Sequence, residues 1–113
     1  MPKYEPTLDS AFRALGDGTR RAVLAQLAIA PQSVSTLAAP FHMALPSFMQ
    51  HLRVLQDCGL IRSEKAGRTR ICHLEPAMLD ATAQWITAQT DIWTARMDRM
   101  DNYIATLTPK DTR

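Results

Sequence analysis

The stretch VSTLAAPFHMALPSFMQHLRVLQDCGLIRSEKAGRTRICHL, residues 34–74, carries the pattern that decides the fold. Its first part predicts a short helix over about 35–41, which Ser33 or Ser35 can cap, followed by a break at His42–Ala44. Pro46 then suits the first turn of another helix, because its missing N–H has no partner to lose there. Two short helices in succession are therefore predicted, the second over about 45–57.

The periodicity changes after Gly59. Leu60–Lys65 and Thr69–Leu74 are short runs typical of strands, and Ala66-Gly67-Arg68 joins them. A connection of this length that contains glycine favours a β-hairpin. We therefore predict a hairpin over about 60–74.

Helices are also predicted on both sides of this stretch. Upstream, the pattern indicates helices over about 7–15 and 18–29, with Asp17 capping the second. Downstream, Pro76 opens one long helix that runs to about residue 108. Its apolar positions alternate at spacings of four and three, which is typical of a helix that packs along another helix: Leu79, Ala83, Ile86, Thr90, Trp93, Met97, Met100, Ile104 and Leu107.

The expected fold class is mainly α with a small β-hairpin, in the order of four helices, a hairpin and a long helix. This is the order of a winged helix-turn-helix. We expect one domain over residues 1–113, in which 76–108 is a C-terminal dimerisation helix. Four short helices cannot cover so long an apolar stripe, so the dimer interface is predicted to include Leu8, Phe12, Ile86, Trp93, Met97, Met100 and Ile104.

The predicted helix over 45–57 has one apolar side, with Leu45, Phe48, Leu52 and Leu55, and one polar side. Amide, guanidinium and hydroxyl groups on the polar side are those that read base edges or hold phosphates. The candidate DNA-binding residues are Ser47, Gln50, His51 and Arg53 in this helix, and Arg62, Lys65, Arg68 and Arg70 in the hairpin. Two simpler interpretations stay open: an ordinary amphipathic surface helix, and a hairpin whose charges prevent aggregation.

Composition excludes several classes of protein. The chain has 113 residues, of which 46% are hydrophobic and 21% charged, as in ordinary globular domains. Residues 41–75 carry five basic and three acidic side chains, a weak indication of a polyanionic partner. No apolar run is long enough to span a membrane, and the start MPKYEPTLDS lacks the apolar core of a secretory signal. We expect a cytoplasmic protein. Catalytic motifs are absent from the sequence, so neither an enzyme nor a cofactor is expected.

Metal binding has little support in the sequence. His42, His51 and His73 lack the spacing of a ligand set, and a transition-metal site needs three or four ligands. Cys58 and Cys72 are interpreted as packed side chains, with a thiol redox switch as the alternative.

Five segments in order, over about residues 8–75, resemble the ArsR/SmtB family of bacterial winged-helix repressors. They are Leu15–Arg21, Val34–Ala38, His51–Leu55, Cys58–Ile61 and Gly67-Arg68. The stretch from Trp85 through Trp93 to Met97–Asp101 further resembles a non-metal, autorepressor-like branch of that family.

The resemblance implies DNA binding, and its departures argue against metal sensing. Residues 34–41 lack the cysteine pair of the family's metal sensors, and Asp80 and Asp91 have no histidine partners. Ala44 and Met49 replace serines common in the family's recognition helix, so base contacts cannot be transferred. The sequence thus predicts a homodimeric repressor of a partly palindromic operator, with an unknown effector. The alternatives are a thiol-responsive or metal-responsive repressor of the same fold, and a dimeric protein-interaction module.

Overall fold

The computed structural model describes residues 7–107. Its elements follow in the predicted order, with one additional short strand: α1 (Leu8–Leu15), α2 (Gly18–Ile29), β1 (Gln32–Ser33), α3 (Val34–Ala38), α4 (Leu45–Asp57), β2 (Ile61–Ala66), β3 (Thr69–Leu74) and α5 (Pro76–Leu107). The predicted fold class, mainly helical with a small β element, is confirmed.

Side-chain caps fix the starts of the short helices. The Asp17 carboxylate accepts a hydrogen bond from the backbone N–H of Arg20 at 3.1 Å, as predicted for α2. Ser33, rather than Ser35, caps α3 by accepting from the N–H of Thr36 at 3.2 Å. Helix α3 is shorter than predicted, because Pro40 within the expected range has no N–H to continue the helical hydrogen bonds.

Helix α4 stops at a glycine. Gly59 has a φ of +83°, in the left-handed region that favours glycine. The N–H of Leu60 donates to the carbonyl of Leu55 at 3.0 Å, and the N–H of Gly59 donates to that of Gln56 at 3.1 Å. These two bonds satisfy two carbonyls in the last turn of α4 and direct the chain into β2.

The sheet has three antiparallel strands in the order β1-β3-β2, whereas the sequence predicted only the hairpin β2-β3. In the additional pairing, Gln32 lies opposite Cys72 and Ser33 lies opposite Ile71. A two-residue strand has no periodicity of its own, and its partner is distant in sequence. The hairpin pattern therefore could not reveal it.

The core lies among α1 to α4 and the base of the hairpin. Its largest fully buried side chains include Phe48, Leu37, Leu55 and Leu60. Leu45, which the sequence placed on the apolar side of α4, does not belong to this core, since it is 56% exposed at the first position of the helix. The core therefore does not cover the apolar side of α4 at its first turn.

The described residues form two compact units, divided after Thr82 within α5. In the first unit, Thr82 is buried, and Met78 and Leu79 pack against the core. In the second unit, residues 83–107 form the rest of the helix, and their side chains are exposed. The predicted end of this helix at residue 108 lies outside the described residues. Between residues 7 and 107, no helix combines the length and apolar character needed to cross a membrane.

Candidate nucleic-acid interface

Helix α4 separates its apolar and polar side chains as the sequence predicted. Phe48, Leu52 and Leu55 are buried in the core. Ser47, Gln50 and Arg53 are exposed and, with the exposed Pro46 and the partly buried Met49, line a shallow surface depression. A hydroxyl, an amide and a guanidinium spaced by three residues project from one side of a helix. This arrangement can present hydrogen-bonding groups to base edges and phosphates.

Arg20, which the sequence did not single out as a site residue, links α4 to α1. Its guanidinium donates to the carbonyl oxygens of Ala14 at 2.8 Å and Arg13 at 3.2 Å, both near the end of α1. Its Nη1 also lies 3.2 Å from Nδ1 of His51 in α4. One side chain of α2 therefore contacts both α1 and α4.

His51 was predicted to contact DNA, and its ring is half-buried. Since Arg20 is always a donor, Nδ1 of a neutral His51 ring accepts from it, which places the ring proton on Nε2. Nδ1 also lies 3.7 Å from the Asp17 carboxylate. The backbone N–H of Arg20 lowers the pKa of Asp17 below its usual value, and the positive charge of Arg20 adds to this effect, while desolvation opposes it. DNA contact by His51 stays a prediction.

The turn before α4 is fixed by aromatic packing. The rings of Phe41 and Phe48 lie 5.4 Å apart between centroids, tilted by 34°. Leu37 of α3 is fully buried in the same core. Together these residues hold α3 and the start of α4 in a helix-turn-helix.

The hairpin of β2 and β3, here called the wing, ends in a tight turn. Ala66 pairs with Thr69, which leaves Gly67 and Arg68 as the two turn residues, and Gly67 has a φ of +65°. Lys65 and Arg70 lie directly opposite each other on one face of the wing. They and Arg68 are exposed at the outer end of the wing, where phosphate contacts were predicted.

Arg62 lies on the other face of the wing and is engaged by carboxylates. Its Nε donates to Glu75 at 2.9 Å and its Nη1 lies 3.3 Å from Glu64. Glu64 also contacts Nε2 of His73 at 3.0 Å. The charge of Arg62 is therefore compensated locally. The sequence placed it in the same basic set as Lys65, Arg68 and Arg70 because a list of charges does not show which face carries the acids.

A chain of hydrogen bonds joins the wing to α4. Arg70 Nη1 donates to Ser63 Oγ at 3.1 Å, and Ser63 Oγ donates to Gln56 Oε1 at 3.1 Å. Ser63 and Gln56 were not predicted as site residues. The alternation of the strand, which places Ser63 on the same face as Lys65, was the available signal for Ser63.

The two cysteines are free thiols in the core. Burial raises the pKa of both, and this disfavours the thiolate that oxidants attack. The Cys58 thiol donates to the carbonyl of Leu55 at 3.3 Å. Among residues 7–107, no cluster of three or more histidine, cysteine, aspartate or glutamate side chains could hold a metal ion.

Part of the chain matches a known domain family. Residues 15–64 match the family model described as a helix-turn-helix domain. Among curated proteins, the HTH-type transcriptional regulator Rv2034 of Mycobacterium tuberculosis is 41% identical over 73 residues, which is 65% of this chain and 68% of the relative. The HTH-type transcriptional repressor SmtB of M. tuberculosis is 32% identical over 90 residues, 73% of this chain and 67% of the relative.

A solved structure agrees with these matches. The crystal structure of an ArsR family transcriptional regulator, RHA00566, superposes with a TM-score of 0.73 at 48% sequence identity. The match covers 77% of this chain and 96% of the other. The two chains are therefore similar in both fold and sequence over this share of their lengths.

Proposed function

Because the chain belongs to the ArsR/SmtB family of helix-turn-helix transcriptional regulators, we propose that it is a homodimeric repressor of a partly palindromic operator. Each subunit places α4 in a major groove. The two recognition helices enter successive grooves about 34 Å apart on one side of the duplex. A relative named as a transcriptional repressor supports repression as the direction of regulation.

The observation that carries the proposal is the polar face of α4 beside the cationic face of the wing. Ser47 and Gln50 contact bases, with the amide of Gln50 making two hydrogen bonds to an adenine. His51 contributes through its Nε2 proton. Phosphates are held by four exposed cations, Arg53, Lys65, Arg68 and Arg70. Arg62 contributes less, because Glu64 and Glu75 already compensate its charge.

Dimerisation is assigned to α5, with Leu8 and Phe12 of α1 contributing. Exposed apolar side chains follow the heptad stripe through Ile86, Trp93, Met97, Met100, Ile104 and Leu107. Ile92 and Tyr103, also exposed, widen this band beyond a two-helix seam. A wide band suits a helix that packs against more than one other helix, which is why α1 is included in the interface.

Regulation is proposed to need no transition metal, because the sequence lacks the ligand sets of the family's metal sensors. A thiol switch is the weaker alternative, since burial raises the pKa of both thiols.

The proposal is tested by a gel shift with DNA from upstream of the chain's own gene, against random DNA of equal length. Retardation of the upstream fragment at concentrations that leave random DNA free supports the proposal. Equal binding to both overturns operator recognition, and no binding to either favours a protein-interaction module.

A further inference from the structure

A cavity of about 190 Å³ lies between α4 and the wing. Its apolar part is formed by Val34, Met49, Leu52 and Cys72, and the side chains of Leu52 and Cys72 are almost completely buried. Its polar part is formed by Arg53, Gln56, Asp57, Ser63 and Arg70. The cavity therefore combines an apolar wall with charged groups.

The volume limits the size of an occupant. A buried apolar cavity of about 150 Å³ accepts benzene, whereas pockets for drug-sized ligands measure about 300 to 1,000 Å³. A space of about 190 Å³ suits a single ring or a short branched chain with one polar group.

The charged side chains that line the cavity determine which charge an occupant carries. Arg53 and Arg70 contribute two guanidinium groups, against the single carboxylate of Asp57. Lys65 lies directly opposite Arg70 on the same face of the wing and adds positive potential. Arg70 uses one N–H of its guanidinium on Ser63, and a guanidinium has five. The remaining donors match the two oxygens of a carboxylate.

We propose that this cavity binds a small organic anion, an aromatic or branched short-chain carboxylate, and that this ligand competes with DNA. Its carboxylate is held by Arg53 and Arg70, and its hydrocarbon part contacts Val34, Leu52 and Cys72. The two arginines are also assigned to phosphates, so a ligand that occupies them lowers DNA affinity. This competition rests on the proposed function, whereas binding of the anion does not.

The hydrogen bonds across the cavity explain how occupancy also changes geometry. Ser63 accepts from Arg70 and donates to Gln56, which links the wing to α4. A carboxylate that draws Arg70 away from Ser63 breaks this link. The wing and the recognition helix are then no longer held in one relative position, and DNA binding requires that position.

Benzoate is the probe, titrated into the full chain without DNA and followed by calorimetry and backbone amide shifts. Benzamide, a neutral molecule of the same shape, and inorganic phosphate, an anion without a ring, are the comparison ligands. We expect both to bind roughly tenfold more weakly than benzoate, because one lacks the charge and the other the apolar part. Shifts should concentrate at Val34, Gln56 and Cys72.

Two variants with the same change in charge distinguish binding in the cavity from a general electrostatic attraction of the anion to the basic surface. Arg70→Gln should weaken benzoate binding roughly tenfold, because it removes a charged donor from the cavity. Arg68→Gln lies at the turn, outside the cavity lining, and should change benzoate affinity less than about twofold. Equal effects of the two variants, phosphate binding as tight as benzoate, or no saturable benzoate binding would each overturn the site. If benzoate binds as predicted but the chain fails to bind any DNA, the site stands and the proposed function fails.

Discussion

Nη1 of Arg20 lies 3.2 Å from Nδ1 of His51, and this contact joins α2 to the helix that carries Ser47, Gln50 and Arg53. The same guanidinium donates to two carbonyl oxygens near the end of α1. A side chain outside the surface that would contact DNA therefore links the proposed recognition helix to α1.

Replacing Arg20 tests this role. Arg20→Met keeps much of the side-chain volume but removes all three hydrogen bonds, so we expect a loss of about 1–3 kcal/mol in the free energy of unfolding. Arg21→Met is the control, because Arg21 is exposed and donates to the carbonyl of Leu15 alone. Its loss should be below about 1 kcal/mol. Urea denaturation measures both variants, and equal losses would contradict the role of Arg20.

Asp17 should make stability depend on pH in the acid range. Its pKa is lowered on folding, so its charge stabilises the folded chain above the unfolded pKa of about 4. This contribution is lost as the pH falls through the folded pKa. Asp17→Asn keeps a capping oxygen and removes the charge.

The stability difference between the native chain and Asp17→Asn should therefore be largest near neutral pH. It should shrink below about pH 4. Urea denaturation in steps from neutral to acid pH measures it. A difference that stays constant over the whole series would contradict a stabilising charge at Asp17.

The exposed stripe of α5 predicts a dimer that charge can disrupt. Glutamates in place of Trp93 and Met97 would bury two charges in the interface, and we expect a monomer in sedimentation equilibrium. The matched control places glutamates at Ala95 and Asn102, which lie on the opposite side of the same helix, and should stay dimeric. An unchanged mass for the Trp93 and Met97 variant would exclude this interface.

Metal ions should not regulate the protein. Zinc, cadmium and arsenite are expected to leave operator affinity unchanged under reducing conditions, since the chain lacks the family's ligand sets. Titration of each ion into the protein–operator complex measures the effect. A stoichiometric site that changes operator affinity about tenfold would contradict this expectation.

The sequence predicted the elements whose signals are local. Phe48, Leu52 and Leu55 recur at helical spacing, Pro46 and Gly59 mark the two ends of α4, and Gly67 marks the wing turn. Each of these residues acts through its own few neighbours along the chain. A single sequence is sufficient to place such elements.

Features that depend on distant partners could not be predicted. Gln32 pairs with Cys72, and Arg20 contacts His51, although neither pair has a periodic or spacing signal. The ion pair between Arg62 and Glu75 could not be predicted either, because the two side chains meet only after the strands have paired. The exposure of Leu45 could not be predicted either, because a helical pattern does not show how much of the apolar side of a helix the core covers.

The wing and the recognition helix should differ in how their variants change DNA binding. Gln50→Ala should narrow the difference in affinity between operator and random DNA, since a bidentate base contact is worth about 1–3 kcal/mol of discrimination. Arg68→Ala should weaken both DNAs equally and reduce the salt slope by about one, because its contribution is to phosphates. Arg62→Ala, which removes a compensated charge, should change the slope less than Arg68→Ala does.

The most direct test of DNA reading by α4 is the specificity ratio of Gln50→Ala, the affinity for operator divided by that for random DNA. It is measured by titration at several salt concentrations, beside the native chain. We expect the ratio to fall about five- to 150-fold, with the salt slope nearly unchanged. A ratio equal to that of the native chain would show that this face of α4 does not read bases.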